Sequence, residues 1–385
     1  MPFRCKTCGT ASLETGALCS ACGDFVRYEE SDATALRQAI NGDSTAALPT
    51  YEPRITMGEG NTPMVPLDNS SLDATVHAKL ESVSPTCSFK DRGSALLTSA
   101  VADTQTSWEG MSVASTGNTA PSIAAYAARA GVPCAVVVPE GTLLSKLTQV
   151  AAHDVNIYTL EGTFSDCFRV AQQASDERVL NGTAVYSANP FVASANRTVA
   201  FEIVAQLGHV PDWVTVPVGA GPLLGGTYQG FVELADAGLV KTTPRMLCVQ
   251  ADGCHPIVAA FNADESVKAW TAPVTTAIGA IADPLDGYAN DGEATRQAVL
   301  VSDGSAVALD DHQIREWAHK LANSEGIYAE PASAASVAAI ETAPIEPSDT
   351  VVALITGHGL KEPGETPPTT PLVDGVETLR TAILS

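Results

Sequence analysis

The segment Ser88-Phe89-Lys90-Asp91-Arg92-Gly93 contains the residue of this chain best suited to covalent chemistry. It places Lys90 in a short polar run just before Ser94 to Val101, an apolar segment that predicts a helix. The positive end of a helix disfavours a charged amine and lowers its pKa. A neutral amine is a nucleophile that can form a Schiff base with an aldehyde cofactor. For this segment alone, a solvated Lys-Asp-Arg turn that caps the helix is an equal alternative.

A second polar corner follows a predicted strand. Ser115-Thr116-Gly117-Asn118-Thr119 links that strand to a helix that includes Pro121, and such corners expose backbone N–H groups. The small residues admit a planar ligand, and we expect Asn118 to donate a hydrogen bond to a ring oxygen. The candidates for contact with the substrate here are Ser115, Thr116 and Thr119. A Ser/Thr/Asn cap on an ordinary helix is the alternative.

A glycine-rich run, from Val218 to Gly226, also connects a strand to a helix. Backbone N–H groups at a glycine-rich helix start form a cradle for an anion. Pro222 has no N–H group. The predicted donors are therefore Gly219, Ala220, Gly221 and Leu223.

A third candidate segment, Thr356-Gly357-His358-Gly359, ends an apolar strand, where open α/β sheets bind ligands. Thr356 offers a hydroxyl to a ring nitrogen, whereas His358 is either catalytic or a turn residue without a role. An amine nucleophile, a phosphate cradle, a donor to a ring oxygen and a hydroxyl for a ring nitrogen are together what pyridoxal 5'-phosphate needs.

Four of the nine cysteines form a metal-ligand pattern. Cys5-x-x-Cys8 and Cys19-x-x-Cys22 are two knuckles separated by ten residues, which fits a tetrahedral zinc site. Four thiolates leave no open coordination position, so the predicted role of the zinc is structural. Two disulfides are the alternative.

The chain carries 44 acidic and 21 basic residues, a net charge of −23, and the acids are dispersed. A dispersed acidic surface stays soluble in a salty cytoplasm, as in halophiles, and it disfavours nucleic-acid binding. No apolar run has the length of a membrane span, and no apolar signal core precedes Cys5. Scattered further cysteines suit a reducing compartment. We therefore expect a cytoplasmic protein with no membrane or nucleic-acid partner.

Strand and helix signals alternate from residue 32 onward, which predicts an α/β fold with mostly parallel sheets. The predicted strands are 75–80, 111–115, 134–138, 156–160, 213–218, 246–251 and 350–356. The predicted helices are 32–40, 94–102, 121–129, 143–152, 164–174, 197–207, 223–235, 311–324 and 333–341. Residues 361–376, rich in Pro, Thr and Glu, predict a surface tail.

With these motifs the chain resembles the fold-type II pyridoxal-phosphate enzymes, and within them the threonine synthases. Four segments are similar to family segments: Gly58 to Pro63, the segment around Lys90, Glu330 to Ala335, and Thr356 to Lys361. An N-terminal cysteine ribbon occurs in many archaeal members, which with the acidic composition indicates a haloarchaeal-like protein.

The resemblance implies a fold and roles for residues. The fold is two open twisted sheets flanked by helices, as in the tryptophan synthase β chain, with an N-terminal zinc ribbon. The implied domains are a ribbon over 1–30, a large cofactor-binding domain over 31–102 and 206–385, and a small domain over 103–205. Lys90 matches the Schiff-base lysine, Asn118 the residue facing the ring hydroxyl, and Lys146 a lysine near the substrate phosphate. Dimers are common in the family, so we expect a homodimer.

The implied reaction converts O-phosphohomoserine and water to threonine and phosphate. One departure bears on the substrate: the family segment Asn-Pro-x-Arg reads Asn189-Pro190-Phe191-Val192 here. Arg197 is the candidate to replace the missing arginine. A serine/threonine dehydratase-like reaction, or β-replacement on another substituted amino acid, is the alternative that this departure leaves open. A ribbon protein with an inactive enzyme domain, which binds nucleic acid or a partner, is a third.

Overall fold

Strands and helices alternate along the chain, as the sequence predicts. The computed structural model describes residues 3–5, 7–11, 18–19, 21–28, 32–69, 71–362 and the single positions 376, 379, 380 and 383. The strands are β1 Phe3–Cys5, β2 Val26–Tyr28, β3 Met64–Pro66, β4 Thr75–Lys79, β5 Gly110–Ala114, β6 Cys134–Pro139, β7 Asn156–Leu160, β8 Val179–Asn181, β9 Trp213–Pro217, β10 Arg245–Ala251, β11 Ser305–Leu309 and β12 Thr350–Leu354. The helices are α1 Ala33–Ile40, α2 Lys90–Ala102, α3 Thr119–Ala130, α4 Leu144–Ala151, α5 Phe164–Gln173, α6 Pro190–Leu207, α7 Pro222–Asp236, α8 Pro256–Ala263, α9 Ala289–Val301, α10 Asp311–Ser324 and α11 Pro331–Ala338.

The larger sheet has six strands in the order β11-β10-β9-β12-β4-β3. Neighbouring strands are parallel except at the edge, where β3 pairs antiparallel with β4. Every residue of β9 is buried, as expected for a parallel strand covered by helices on both faces. The carboxyl ends of the parallel strands share one edge, and β9 and β12 deliver their loops there side by side.

The smaller sheet has four parallel strands in the order β7-β6-β5-β8. Of its two inner strands, β5 is buried throughout, and a polar corner joins it to α3. Helix ends follow local rules: Thr163 and Asp166 form a capping box at the start of α5, and Gly131 ends α3 in the left-handed conformation.

Two glycines bring α6 and α7 into close contact. A Cβ atom at Gly226 would lie 2.4 Å from the Ala193 carbonyl oxygen, and one at Gly230 would lie 2.5 Å from that of Arg197. Only glycine allows this approach. The antiparallel pair β1–β2 attaches to α6 through Phe3, whose ring centroid lies 5.1 Å from that of Phe191.

The structure differs from the sequence prediction at several elements. Helix α2 begins at Lys90, four residues before the predicted start, and α6 begins at Pro190, where the Asn189 side chain caps it. Strands β1, β2, β3, β8 and β11 and helices α8 and α9 were not predicted. The predicted tail lies mostly outside the described residues. Within the described part of the chain, no helix is long and apolar enough to cross a membrane.

Candidate active site

Lys90 is the first residue of α2 and lies half-buried at the carboxyl edge of the larger sheet. Its Nζ atom lies 4.4 Å from the centroid of the Phe89 ring. Burial lowers the pKa of Lys90 from 10.5 to about 8, while the carboxylates of Glu330 and Asp283 act to raise it. The lowered pKa expected from the sequence is therefore present, with burial as its main cause. An amine with this pKa is partly neutral near pH 8 and can act as a nucleophile.

A buried carboxyl group fixes the loop before Lys90. Asp91 accepts hydrogen bonds from the Thr86 backbone N–H at 2.7 Å, the Thr86 hydroxyl at 2.5 Å and the Ser122 hydroxyl at 2.6 Å. Ser122 belongs to α3, so this residue connects the lysine loop to the smaller sheet. Asp91 is thus a structural anchor rather than part of a solvated turn.

The next residue, Arg92, enters a buried ion-pair network beneath α2. Its guanidinium binds Glu81 at 2.7 Å and Glu202 at 2.6 Å, and Lys79 binds Glu202 at 2.7 Å. Burial alone would raise the pKa of Glu202, but Arg92 and Lys79 bring it well below its ordinary value. Paired charges of this kind are costly to break singly, so they hold the start of α2 against β4 and α6.

Asn118 precedes α3 and faces a carboxylate across the site. Its amide nitrogen donates to both oxygens of Glu330, at 3.1 and 2.9 Å. Burial raises the pKa of Glu330, while the hydrogen bond from Asn118 lowers it. The donation from Asn118 to a ring oxygen stays a prediction, since in this state the amide binds Glu330.

The glycine-rich loop between β9 and α7 has the conformation of an anion cradle. Gly221 has φ of +101°, and a Cβ atom there would lie 2.0 Å from the Thr295 hydroxyl, so only glycine fits. Thr295 also donates to the Ala220 carbonyl at 2.9 Å. Among the described residues, no acceptor binds the N–H groups of Gly219, Ala220 and Gly221. Pro222 is the first residue of α7, and unpaired N–H groups at such a helix start fit a phosphate.

Thr356 follows β12 and is 3% exposed, with its hydroxyl 2.8 Å from that of Ser333 on α11. The backbone of Thr356 accepts a hydrogen bond from Phe89 N–H at 3.0 Å, so this threonine lies beside the lysine loop. His358 uses its ring nitrogen to cap a short helical turn at Leu360, which favours the structural alternative for that residue.

The three substrate candidates of the β5–α3 corner lie together at the start of α3. The Ser115 hydroxyl accepts from the Gly117 N–H at 3.2 Å and the Ala120 N–H at 3.3 Å, which shapes the turn. Thr116 is half-buried and Thr119 is buried. Lys146 belongs to α4, but its side chain lies outside the described part of the structure.

The structure places Arg197 away from this group. Its guanidinium pairs with Glu233 of α7, donates to the Ala47 carbonyl at 2.9 Å, and lies 4.9 Å from the Tyr28 ring centroid. These contacts engage the Arg197 guanidinium, which the sequence analysis suggested as a partner of the substrate phosphate. Val192 is buried against Gly93 of α2, 3.0 Å from the position of a Cβ atom there.

Two acidic residues at the site were not among the predicted site residues. Glu330 belongs to a family-like segment, but only the fold shows that it faces Lys90. Asp283 lies beside the cradle, with its Cβ atom 3.5 Å from the position of a Cβ on Gly219. It accepts from the Tyr288 hydroxyl at 2.6 Å. An Asp-Pro pair after a 3-10 turn carries no motif, so no sequence signal indicated it.

The four N-terminal cysteines converge. The sulfur atoms of Cys5, Cys8, Cys19 and Cys22 all lie within 4.8 Å of one another. The closest sulfur–sulfur distances are 3.4 Å, between Cys5 and Cys22 and between Cys8 and Cys19. A disulfide bond is about 2.05 Å long, so the cysteines are free thiols in an arrangement that four-coordinate metals require.

Comparison with known proteins identifies the class to which this fold and site correspond. The sequence profile of the family described as "Pyridoxal-phosphate dependent enzyme" matches residues 55–357. The chain belongs to this family.

The most informative relatives are threonine synthases. The chain is 38% identical to the threonine synthase of Mycobacterium tuberculosis over 318 residues, 80% of this chain and 84% of that protein. It is 35% identical to that of Methanocaldococcus jannaschii over 320 residues, 80% of this chain and 77% of that one.

Solved structures share the fold. Maize serine racemase superposes with a TM-score of 0.67 at 20% identity, covering 92% of this chain and 97% of that one. The processed form of threonine deaminase isoform 2 from Solanum lycopersicum superposes with a TM-score of 0.65 at 20% identity, covering 86% of this chain and 91% of that one. The fold is therefore that of the fold-type II pyridoxal-phosphate enzymes.

Proposed function

We propose that this protein is a pyridoxal-phosphate-dependent threonine synthase, which converts O-phosphohomoserine and water to threonine and phosphate. The observation that carries the proposal is the 34–38% identity to threonine synthases along about four fifths of the chain. The racemase and the deaminase that share the fold are 20% identical. The proposal assigns the reaction to the space between Lys90, Asn118 and the glycine cradle.

The site residues fit the cofactor. Lys90 offers a buried amine of lowered pKa, and the unpaired N–H groups of Gly219, Ala220 and Gly221, with Leu223, offer a cradle to its phosphate. When bound, pyridoxal phosphate supplies an electron sink for the bond that breaks at the amino-acid α carbon. Thr356 offers a neutral hydroxyl to the ring nitrogen, which suits elimination and replacement.

In this proposal Lys90 has two duties. It holds the cofactor through its amine, and once displaced by the substrate it moves protons at the α and β carbons as general base and acid. A pKa of about 8 favours both duties, because the amine then exists in both protonation states near neutral pH. Glu330 and Asp283 flank this amine and set how readily it takes up a proton.

The substrate phosphate has one remaining candidate partner, Lys146, which the family suggests. Arg197 does not serve here, because Glu233 and Ala47 engage it. Val192 stands where the family has an arginine and is buried against α2. These two observations favour, as the second candidate function, a dehydratase-like elimination or a β-replacement with a different leaving group.

We also propose that the cysteine ribbon binds one structural zinc ion. Four thiols within 4.8 Å of one another, two of them buried, match the ligand set of a closed tetrahedral site. The domain limits, the homodimer, the cytoplasmic location and the haloarchaeal-like adaptation to salt remain predictions beside this proposal.

One assay separates the two candidate reactions. The full-length protein, loaded with pyridoxal phosphate in high salt, is offered O-phosphohomoserine, then threonine, then serine. Phosphate release with stoichiometric threonine is the expected result. Ammonia and a keto acid formed from threonine, with no turnover of O-phosphohomoserine, would overturn the threonine synthase assignment and favour the second candidate.

A further inference from the structure

A cavity of about 570 Å³ lies behind the phosphate cradle, between the ribbon strand β2 and helices α6, α7 and α9. It is separate from the space that Lys90 faces. Its walls are formed by apolar side chains and by the rings of three tyrosines, and its polar groups include three arginines and one glutamate. The lining residues on which the argument rests are Arg27, Tyr186, Arg197, Gly225, Glu233 and Ala294.

Among the described residues that line the cavity, positive charge exceeds negative charge, since three arginines meet one glutamate. Glu233 neutralises Arg197, with which it forms a buried ion pair. Arg27 is half-buried, and its guanidinium has no ion pair or hydrogen bond to any described residue. In a chain with 44 acidic and only 21 basic residues, an unpaired arginine in a cavity is unexpected unless something anionic binds it.

The charge balance and the walls define the ligand class. Arg4 is exposed and donates to the Gly9 carbonyl at 3.4 Å. The Arg27 guanidinium pairs best with one negative charge, and a planar carboxylate matches its fork geometry. The Glu233 carboxylate disfavours a second negative charge nearby. The apolar walls would bury a hydrophobic body of the ligand.

The cavity contacts the cofactor cradle directly through Tyr186. The Tyr186 hydroxyl lies 3.3 Å from the Gly221 carbonyl oxygen, to which it donates. The same hydroxyl lies only 1.8 Å from the position that a Cβ atom on Gly225 would take, so it packs directly on the start of α7. The Phe25 ring of the ribbon packs on Tyr186 at 5.5 Å between centroids. A ligand that contacts Tyr186 in the cavity therefore acts on the loop that forms the cradle.

We propose that this cavity is a second ligand site, which binds a small organic monoanion with one carboxylate on an apolar body and thereby alters the affinity of the cradle for the cofactor phosphate. Arg27 binds the carboxylate, and Tyr186 carries the effect to Gly221. This site stands whatever reaction Lys90 supports.

The test uses benzoate as the probe and the full-length holoprotein. Isothermal titration should show saturable binding of one benzoate per chain, and neutral benzamide of the same shape should bind at least about tenfold more weakly. Phenyl phosphate, with two charges, should bind no more tightly than benzoate. Absence of saturable benzoate binding, or equal binding of benzamide, would overturn the proposal.

Variants locate the site. Arg27→Gln should weaken benzoate binding about tenfold or more, whereas Arg315→Gln, at an exposed position on α10, should leave it unchanged. Ala294→Trp should fill the cavity and prevent binding without removing any charge, which keeps the test valid should Arg27→Gln disturb the ribbon. Unchanged benzoate affinity in Ala294→Trp would place the binding elsewhere and overturn the proposal.

The coupling is measured separately. Saturating benzoate should change the dissociation constant of pyridoxal phosphate severalfold, as measured by the absorbance of the cofactor. Tyr186→Phe should remove that change while benzoate still binds. An identical cofactor dissociation constant with and without bound benzoate would overturn the coupling through Tyr186.

Discussion

The Phe89 backbone N–H donates to the Thr356 carbonyl at 3.0 Å, and close by on the same two segments the His358 N–H donates to the Cys87 carbonyl at 3.1 Å. The segment before Lys90 is thus hydrogen-bonded to the segment that follows β12. Because Thr356 and Lys90 are joined through backbone, their separation does not depend on flexible side chains. The two groups expected to meet opposite parts of one cofactor ring system are held at a fixed spacing.

Replacing Lys90 by alanine should abolish the visible absorbance band of the lysine-bound cofactor. We expect this because the proposed nucleophile is the Lys90 amine, whose pKa is lowered by burial. Spectra of reconstituted Lys90→Ala and wild-type protein check this. The exposed Lys241→Ala serves as the control and should keep the band. A band of full intensity in Lys90→Ala would show that another lysine holds the cofactor.

The rate of cofactor attachment to the unloaded protein should rise with pH, with a midpoint near 8. The pKa of Lys90 is lowered to about 8 by burial, so the amine is increasingly neutral and nucleophilic above that pH. Stopped-flow absorbance from about pH 6 to about pH 10, a range that brackets this pKa, gives the profile.

The carboxylate of Glu330 acts to raise this pKa, so Glu330→Gln should move the midpoint to lower pH. Glu346→Gln, an exposed site, is the matched control. A midpoint near 10.5, the ordinary lysine value, would contradict the burial of the amine.

Gly221→Ala should weaken cofactor binding strongly and destabilise the protein by about 2–4 kcal/mol, from left-handed strain plus overpacking. Its Cβ atom would lie 2.0 Å from the Thr295 hydroxyl, which requires α9 or the cradle to move. Equilibrium denaturation and cofactor titration measure both effects. Gly238→Ala has a comparable positive φ of +67° but open space around the new methyl group, so it isolates the strain from the clash. Equal cofactor affinities in the two variants would contradict the assigned cradle.

Asp291→Asn should raise stability at about pH 8 and change it little at about pH 3.5. Burial raises the pKa of Asp291 from 3.8 to about 6, so the folded state binds a proton more tightly than the unfolded state. A raised pKa contributes stability that is present below 3.8 and is lost as the pH rises through about 6. The free energy of unfolding lost in this way is at most about 3 kcal/mol, because a pKa difference of one unit corresponds to about 1.36 kcal/mol.

Urea denaturation of wild-type and Asp291→Asn protein between about pH 3.5 and about pH 8 measures this difference. The variant keeps an oxygen that can accept from the Ser187 N–H, which lies 3.0 Å from Asp291 in the wild type. The same substitution at exposed Asp286 changes the net charge equally and isolates the effect of burial. A stability gain at the higher pH no larger than that of Asp286→Asn would contradict the prediction.

Cys8→Ser should remove most of the bound zinc, measured by elemental analysis of the purified protein. Losing one of four thiolates opens the site and weakens it, because a closed tetrahedral zinc site depends on all its ligands. Because the ribbon loses its metal, trypsin should cut the variant there first, after Arg4 or Arg27. Cys134→Ala, at a buried cysteine outside the cluster, should keep the metal. Full zinc content in Cys8→Ser would disprove the assigned ligand set.

Much of the fold could be predicted because its strands are short apolar runs bounded by turn residues. Asn156–Leu160 and Asp311–Ser324 agree with the prediction residue for residue. Helix α9, with Asn, Asp, Gly and Glu in its first half and no side-chain cap, carries no such signal. It forms because Thr295 and Arg296 are buried by distant parts of the chain.

The sequence could propose site residues where the chemistry lies in one contiguous segment, but not where the fold brings distant residues together. Lys90 and the cradle are contiguous motifs, so their residue types and spacing indicate a role. Asp91 and Arg92 resemble a solvated turn in sequence, and only the fold provides the buried partners that make them structural. Glu330 and Asp283 reach Lys90 from distant elements, and Arg197 is engaged by α7, which no local pattern indicates.

The hydrogen bonds between Asn118 and Glu330 turn ligand arrival into an exchange of partners. A ring oxygen that binds the Asn118 amide must first displace an acceptor already present at 2.9 Å. The net gain is only the difference between two similar hydrogen bonds, so Asn118 adds little to affinity. It also discriminates little, because a molecule without that oxygen leaves the Asn118–Glu330 pair intact and loses nothing. Both affinity and selection among ligands would then come from the cradle and Lys90.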